Sequence, residues 1–357
     1  MRIILILICT FASYFMQAIE VTYKNNKMYV NGEPYYMKGI CYHPVPKGKI
    51  KRDFSTLDED INLMKEAGIN AIRVYEPIDD INVLNKLNEA GIKVIINFGY
   101  NQRGRYDILS GTLIDYIFKY QDHDAILMWE LGNEYNYHPQ WFGDDITTWY
   151  KVLEVASQAI QSIDPSRIVS SAHGDLPTKE VLELAPSINA WGLNLYRWDK
   201  PESVFDDWPK VSDKPIYFSE LGADSYMTRP HEQYAAGENQ QAQADANERI
   251  LEKVLENSDK NIGAFVFSFT DGLWKAGNPN KQDTGGVAPN SDGTPSPIWH
   301  FSDLQDQSPC GHSEADQSRL KYSPAVCAQT IRIPQEQNRG DQFGCDKRNN
   351  SGYCGEV

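Results

Sequence analysis

The stretch Ile126-Leu127-Met128-Trp129-Glu130-Leu131-Gly132-Asn133-Glu134-Tyr135-Asn136 decides how the chain reads. A short apolar run that ends abruptly in polar, acid-bearing residues is the pattern of a buried strand whose end emerges at a polar surface. Pro215-Ile216-Tyr217-Phe218-Ser219-Glu220-Leu221-Gly222 repeats the design. Each run delivers one glutamate, Glu134 or Glu220, from the end of a strand.

Working outward from these two runs, strands alternate with helices. Val21–Lys24 and Lys27–Val30 flank Asn25-Asn26, with Asn31-Gly32 following, which predicts a small hairpin with turn chemistry at both bends. The first inner strand is expected over Tyr35–Tyr42, and later ones at Ile69–Tyr75, Ile92–Phe98, Ile126–Leu131, Arg167–Ser171, Ile188–Leu195, Pro215–Ser219 and Ile262–Phe269. Between them, helical spacing of apolar residues predicts helices over Leu57–Ala67 and Ile78–Ala90, closed by Gly68 and Gly91. Further helices are expected over Ile108–Tyr120, Ile146–Ile163, Lys179–Leu184 and Gln240–Leu255. Repeated strand–helix units imply a parallel sheet, and eight of them imply a closed (β/α)8 TIM barrel, an α/β fold. The competing open, doubly wound sheet usually begins with a glycine-rich phosphate loop, and none follows the first strand.

Three segments follow from composition. Residues 1–18 read as a signal peptide: Arg2, the apolar runs Ile3–Ile8 and Phe11–Phe15, and a small residue at Ala18. Residues 19–301 form the barrel domain, whose Lys275–Pro297 stretch, rich in Gly, Pro, Asn, Asp and Ser, is expected to be a long loop over the barrel mouth. Residues 302–357 form a cysteine-bearing tail. With Cys9 in the signal, Cys41 is expected to be a buried thiol, and Cys310, Cys327, Cys345 and Cys354 suit two disulfides in an oxidising compartment. Three pairings are open to them. Zinc is the other use of four cysteines, but their spacing lacks the Cys-x-x-Cys form. Asn349-Asn350-Ser351 is a glycosylation sequon. The expectation is a secreted, monomeric protein with no stable membrane insertion.

With 357 residues, 41% hydrophobic and 23% charged, the composition is that of an ordinary globular protein. A formal charge of −15 argues against a nucleic-acid partner, which favours a basic face. A metal-dependent barrel hydrolase would want several His or Asp ligands at strand ends, often His-x-His after the first strand; the chain has seven His and lacks that pairing. No metal and no cofactor is expected.

A TIM barrel carries its active site at the C-terminal ends of its strands. Those ends present His43, Arg73 with Tyr75 and Glu76, Asn97, Asn133 with Glu134, His173, Asn194 with Tyr196, and Glu220, with Trp274 just past the eighth strand. Two carboxylates presented into one cleft are the minimum apparatus of a retaining glycosidase, which attacks with one and exchanges a proton with the other. Glu130, inside its strand, is expected to be a buried partner of an arginine or a support for the site. Trp141, Trp198 and Trp208 fall in loops, either as sugar-stacking platforms or as core packing.

These residues carry a resemblance. Asn133-Glu134 at the fourth strand with Glu220 at the seventh resembles the catalytic pair of clan A glycoside hydrolases. Asn31-Gly32-Glu33-Pro34 with Lys38-Gly39-Ile40-Cys41-Tyr42-His43-Pro44 looks like the start of the family 2 catalytic module. Ala67-Gly68-Ile69-Asn70-Ala71-Ile72-Arg73-Val74-Tyr75 looks equally like family 2 or the family 72 β-1,3-glucan-transferring enzymes. The likeness spans about residues 28–275. Family 2 enzymes normally carry β-sandwich domains before the barrel and family 72 enzymes usually end in a lipid-anchor signal; neither is expected here.

The resemblance implies Glu134 as acid/base, Glu220 as nucleophile, Asn133 as donor to the sugar 2-hydroxyl, Arg73 and Tyr196 as partners of Glu220, and Trp274 as the floor under the sugar. His43 and His173 are substrate-contact candidates. The expected substrate is a β-linked poly- or oligosaccharide. Hydrolysis is the leading expectation, β-glucan transglycosylation by the same two glutamates the alternative, and an inactive glycan-binding barrel the lesser one.

Overall fold

The computed structural model describes residues 19–197, 201–223, 226–227, 230 and 234–270. The signal segment, Trp198, Trp274, the loop over 275–297 and the cysteine-bearing tail lie outside the described residues.

The chain enters through three antiparallel strands, β1 (Val21–Lys24), β2 (Lys27–Val30) and β3 (Glu33–Tyr35). Asn25, Asn26 and Asn31 have φ of 52°, 59° and 53°, and Gly32 has 82°. Both bends therefore take the left-handed pairs that let a two-residue hairpin follow strand twist. The third strand is an addition to the expected hairpin. Its Pro34 hides it from pattern reading, yet it pairs only with β2, an edge position where a missing N–H is tolerated.

Eight parallel strands then close a barrel: β4 (Met37–Cys41), β5 (Ala71–Val74), β6 (Lys93–Phe98), β7 (Ile126–Asn133), β8 (Ile168–Gly174), β9 (Ala190–Asn194), β10 (Ile216–Leu221) and, after a short antiparallel pair β11 (Tyr226–Met227) and β12 (Gly237–Glu238), β13 (Gly263–Val266). β13 pairs with both β10 and β4, which seals the ring. The expected (β/α)8 closure is thus observed. Glu134 follows its fourth strand and Glu220 lies in its seventh.

The helices are α1 (Leu57–Glu66), α2 (Ile81–Glu89), α3 (Leu113–Tyr120), α4 (Ile146–Ile163), α5 (Lys179–Leu184), α6 (Val204–Asp207) and α7 (Gln240–Glu256). α1 and α2 end in the same way. Gly68 and Gly91 both sit at φ +75°, and the next residues, Ile69 and Ile92, donate back to Met64 and Leu87 at 2.9 Å. This double-bonded glycine cap turns each helix straight into the following strand. Two helices start later than their apolar spacing predicts. α2 waits for Asp80, whose carboxylate caps Asn82 N–H at 2.9 Å. Before α3, Asp107 accepts from the backbone of Gln102, Gly104 and Ser110, and Gly111 at φ +73° breaks the helical path. α6 has only four residues, too short to show a period, and was not anticipated.

The core has two compartments. Outward-facing strand residues such as Ile72, Val94, Trp129, Trp191 and Phe218 pack against the helices. Inward ones, including Met37, Ile95, Met128, Tyr217 and Phe265, fill the barrel. Gly39 makes room inside: a Cβ there would stand 2.2 Å from the Phe265 ring.

Candidate active site

Above that apolar filling the barrel interior becomes polar. Strict alternation along β7 points Met128 and Glu130 inward and would send Asn133 outward. Instead the β7–β8 register shifts between Glu130 and Asn133, where Gly132 takes φ +71°, and Asn133 faces inward as well. β10 does the same: the register against β9 shifts between Phe218 and Glu220, so Ser219 and Glu220 both reach interior partners. Bulges of this kind re-aim a side chain at the end of a strand. Each of the two glutamate-bearing strands contains one.

Arg73 on β5 is the centre of the resulting network and is 0% exposed. Its Nε donates to Glu130 Oε1 at 2.8 Å, its Nη1 to Glu220 Oε1 at 3.0 Å and its Nη2 to Asn133 Oδ1 at 2.8 Å. Burial pulls its proton affinity down, but its negative neighbours, Glu130 first among the carboxylates and then Glu220, outweigh that and hold the guanidinium firmly charged. Glu130, also 0% exposed, accepts from Asn97 Nδ2 at 2.7 Å and from the Tyr217 hydroxyl. It is thus the buried arginine partner expected of it.

Glu220 accepts from three donors. Besides Arg73, the Tyr75 hydroxyl reaches Oε1 at 2.6 Å and the Tyr196 hydroxyl reaches Oε2 at 2.9 Å. Both phenols are pushed well above their ordinary range, by burial first and then by neighbouring negative charge. They are therefore proton donors at any physiological pH. The charges raising Tyr196 include both Glu220, which it touches, and Glu134. Glu134 is 5% exposed, sits at φ +55° and donates its N–H to Ala172 O at 3.0 Å. A non-glycine residue in this left-handed region is uncommon, and it occurs where the chain must turn sharply off the strand.

Asn133 accepts from Arg73 and from Asn194 Nδ2 at 3.0 Å through the same oxygen, leaving its amide N–H2 for other acceptors. His43 is half-buried and its ring meets Tyr75 edge-on at 6.2 Å. Arg73, Asn133, Tyr196, Glu134 and Glu220 are thus brought together, with His43 beside them.

His173 is not. It lies on the outward face of β8, against α4, because two-residue alternation puts it opposite Ser170 and Ala172. Its Nδ1 faces Asp175 O at 3.0 Å, which requires a proton on Nδ1, so Nε2 accepts from the Tyr150 hydroxyl at 3.1 Å. Substrate contact is replaced by packing. Burial lowers His173 to about 4, so the unfolded chain takes up this proton first and stability falls as pH drops from about 6.5 to about 4. Between pH 7 and pH 5 the expected loss is about 2 kcal/mol. Denaturant unfolding of His173→Gln at both pH values checks this; an unchanged pH dependence would contradict it.

Tyr75, named at its strand end with Arg73 but given no role, is a partner of Glu220. It stands one position past β5, and strand alternation from Arg73 already places it on the inner face. Tyr137 is 42% exposed, and its ring lies so close over Gly174 that a Cβ there would stand 2.1 Å from it. Trp208 packs in the core and donates to Lys214 O at 2.8 Å, while Trp141 is 51% exposed and stacked on His138 at 4.0 Å. Cys41 is a buried thiol against Ser219 O at 3.3 Å, pushed up to about 12 by burial. Among the described residues no group of three or more His, Cys, Asp or Glu could hold a metal ion. No helix of the described residues is long and apolar enough to cross a membrane.

Arg73→Met is expected to destabilise the fold by about 3–5 kcal/mol at neutral pH, because it leaves Glu130 buried with no countercharge. Urea unfolding at pH 7 measures this; a cost under about 1 kcal/mol would deny the network this role.

Comparison with known proteins agrees with this geometry. A profile of the glycosyl hydrolases family 2, TIM barrel domain, matches residues 21–105. Mouse β-glucuronidase is 24% identical over 283 residues, which cover 72% of this chain and 41% of that protein. The 1,3-β-glucanosyltransferase GAS4 of Saccharomyces cerevisiae is 23% identical over 253 residues, 60% of this chain and 54% of that one. Among solved structures, a family 2 β-galacturonidase from Eisenbergiella tayi superposes with a TM-score of 0.56 at 21% identity, over 71% of this chain and 46% of its own. Bacteroides uniformis β-glucuronidase 2, covalently bound to cyclophellitol-6-carboxylate aziridine, gives 0.58 at 20%, over 71% and 33%. The chain spans about half or less of the length of these proteins. Both resemblances read from the sequence are borne out: the chain is similar to family 2 and family 72 enzymes and shares the barrel fold of the family 2 structures.

Proposed function

We propose that this glycoside hydrolase barrel is a retaining β-glycosidase acting by double displacement on a β-linked poly- or oligosaccharide. The observation that carries the reading is Glu220 held by Arg73, Tyr75 and Tyr196 at the end of the seventh barrel strand, with Glu134 following the fourth strand directly after Asn133, which shares Arg73 with Glu220. A carboxylate given three donors, one of them a fixed cation, is held and aimed, as a nucleophile must be.

In the first half-reaction a Glu220 oxygen bonds to the anomeric carbon. The bond to the leaving oxygen breaks, and that oxygen takes the proton from Glu134. In the second half, Glu134 removes a proton from water as the water oxygen attacks the anomeric carbon and the ester to Glu220 breaks. Two inversions leave the configuration retained. Asn133, whose amide N–H2 meets no acceptor among the described residues, is positioned in this reading to donate to a sugar hydroxyl.

The test is covalent trapping. Cyclophellitol aziridines and activated 2-deoxy-2-fluoro-β-glycosides, as glucosides, galactosides and uronides, should label the protein once, and the labelled peptide should contain Glu220. A label on Glu134, or a first product of inverted configuration by NMR, would overturn the mechanism. The likeness to a glucanosyltransferase favours a second reading, in which a sugar hydroxyl replaces water in the second half. Products longer than the starting β-glucan oligosaccharide would establish transfer. The signal-like segment at residues 1–18 supports action outside the cell.

A further inference from the structure

The network holds one carboxylate that the double displacement does not use. Glu130 lies within β7, is 0% exposed, and forms with Arg73 an ion pair of 2.7 Å that is tighter than the 3.0 Å pair between Arg73 and Glu220. From this geometry we infer that Glu130 is a positioning residue, whose fixed negative charge restrains Arg73 and thereby sets how strongly Arg73 stabilises the carboxylate of Glu220. The inference rests on the proposed nucleophilic role of Glu220.

The charges around Glu220 can be counted. Tyr75, whose ring meets His43, and Tyr196 are neutral donors, and Cys41 stays a thiol against the Ser219 carbonyl. The charged group in contact with Glu220 is Arg73, which Glu130 shares, while Glu134 and the titratable His43 ring against Tyr75 stand at other strand ends. One buried guanidinium is shared between two carboxylates, and a charge divided between two partners holds each less tightly. Glu130 thus leaves Glu220 more nucleophilic than a private pair with Arg73 would.

The same sharing matters after attack. Once the Glu220 oxygen has bonded to the anomeric carbon and the leaving oxygen has taken the Glu134 proton, Glu220 carries no charge. Arg73 would then be a buried cation with a lost partner, a costly state. Glu130 keeps it paired throughout, held by Asn97 and Tyr217, neither of which touches Glu220. Glu130 therefore favours formation of the glycosyl-enzyme and slows its breakdown.

The experiment compares wild type, Glu130→Gln and Tyr217→Phe. The Glu220 carboxyl is titrated by 13C NMR, its signal assigned by loss in Glu220→Gln. Glu130→Gln should move the Glu220 midpoint down by about 1–2 pH units. The acid limb of kcat/KM should move by the same amount, and less glycosyl-enzyme should be trapped at steady state. Tyr217→Phe removes a hydrogen bond that disperses the Glu130 charge, so it should move the midpoint up. An unmoved midpoint in Glu130→Gln, or a downward shift in both variants, would overturn the inference. If Glu130→Gln does not fold, Tyr217→Phe decides alone: an upward shift supports the inference, and no shift or a downward one refutes it. The titration needs no substrate, so its result stands apart from the trapping experiment that tests Glu220 as nucleophile.

Discussion

Glu220→Ala lowers kcat by about 10^4-fold or more, and added azide restores part of the activity. The loss follows from removing the atom that bonds to the anomeric carbon. The rescue follows from what surrounds it. Arg73 Nη1 and the hydroxyls of Tyr75 and Tyr196 all aim at the Glu220 carboxylate, so truncation leaves a small cavity lined by one cation and two neutral donors. Such a cavity binds a small anion. Azide held there attacks from the face Glu220 used, so the product should be the α-glycosyl azide. Arg73 keeps its 2.7 Å pair with Glu130, so the variant should stay folded. A folded Glu220→Ala protein that azide does not revive, with an activated aryl glycoside as substrate, would remove Glu220 from the nucleophile role.

Glu134→Ala should separate substrates by leaving group. Sugar leaving groups need a proton as the bond breaks, and loss of a positioned acid costs about 10^2–10^4-fold in kcat/KM. A dinitrophenyl leaving group needs none, so its first step should be nearly unchanged and the glycosyl-enzyme should accumulate because the base for the second step is missing. Azide should then give the β-glycosyl azide, the opposite anomer to that from Glu220→Ala. Equal losses on both substrate classes would instead mean that Glu134 supports the fold of the β7 end, where it occupies the left-handed region at φ +55°.

The two predictions concern residues legible in the chain itself. Apolar runs ending in an acid name Glu134 and Glu220, and helix-closing Gly68 and Gly91 mark where strands begin, since capping and periodicity are local properties. His173 shows where such reading fails. A polar residue near a strand end looks like a site residue, but alternation within β8 turns it outward to Tyr150. Tyr75 fails in the opposite sense: alternation from Arg73 turns it inward, onto a carboxylate 145 residues away. The late start of α3 was illegible because Asp107 competes for backbone N–H groups with a helix that the apolar spacing alone would permit.

By itself, then, the amino-acid sequence determined the order of the barrel strands and their longer helices, the number of barrel strands and which acids stand at which strand ends. These depend on hydrophobic period and on caps, which act over a few residues. Only the tertiary structure decided which groups meet. Arg73 finds Glu130 and Glu220 across 57 and 147 residues. Bulges in β7 and β10 turn Asn133 and Glu220 into the mouth against simple alternation. Closure of the ring and slippage between neighbouring strands are settled by packing across the whole barrel, and no local stretch of chain carries that information.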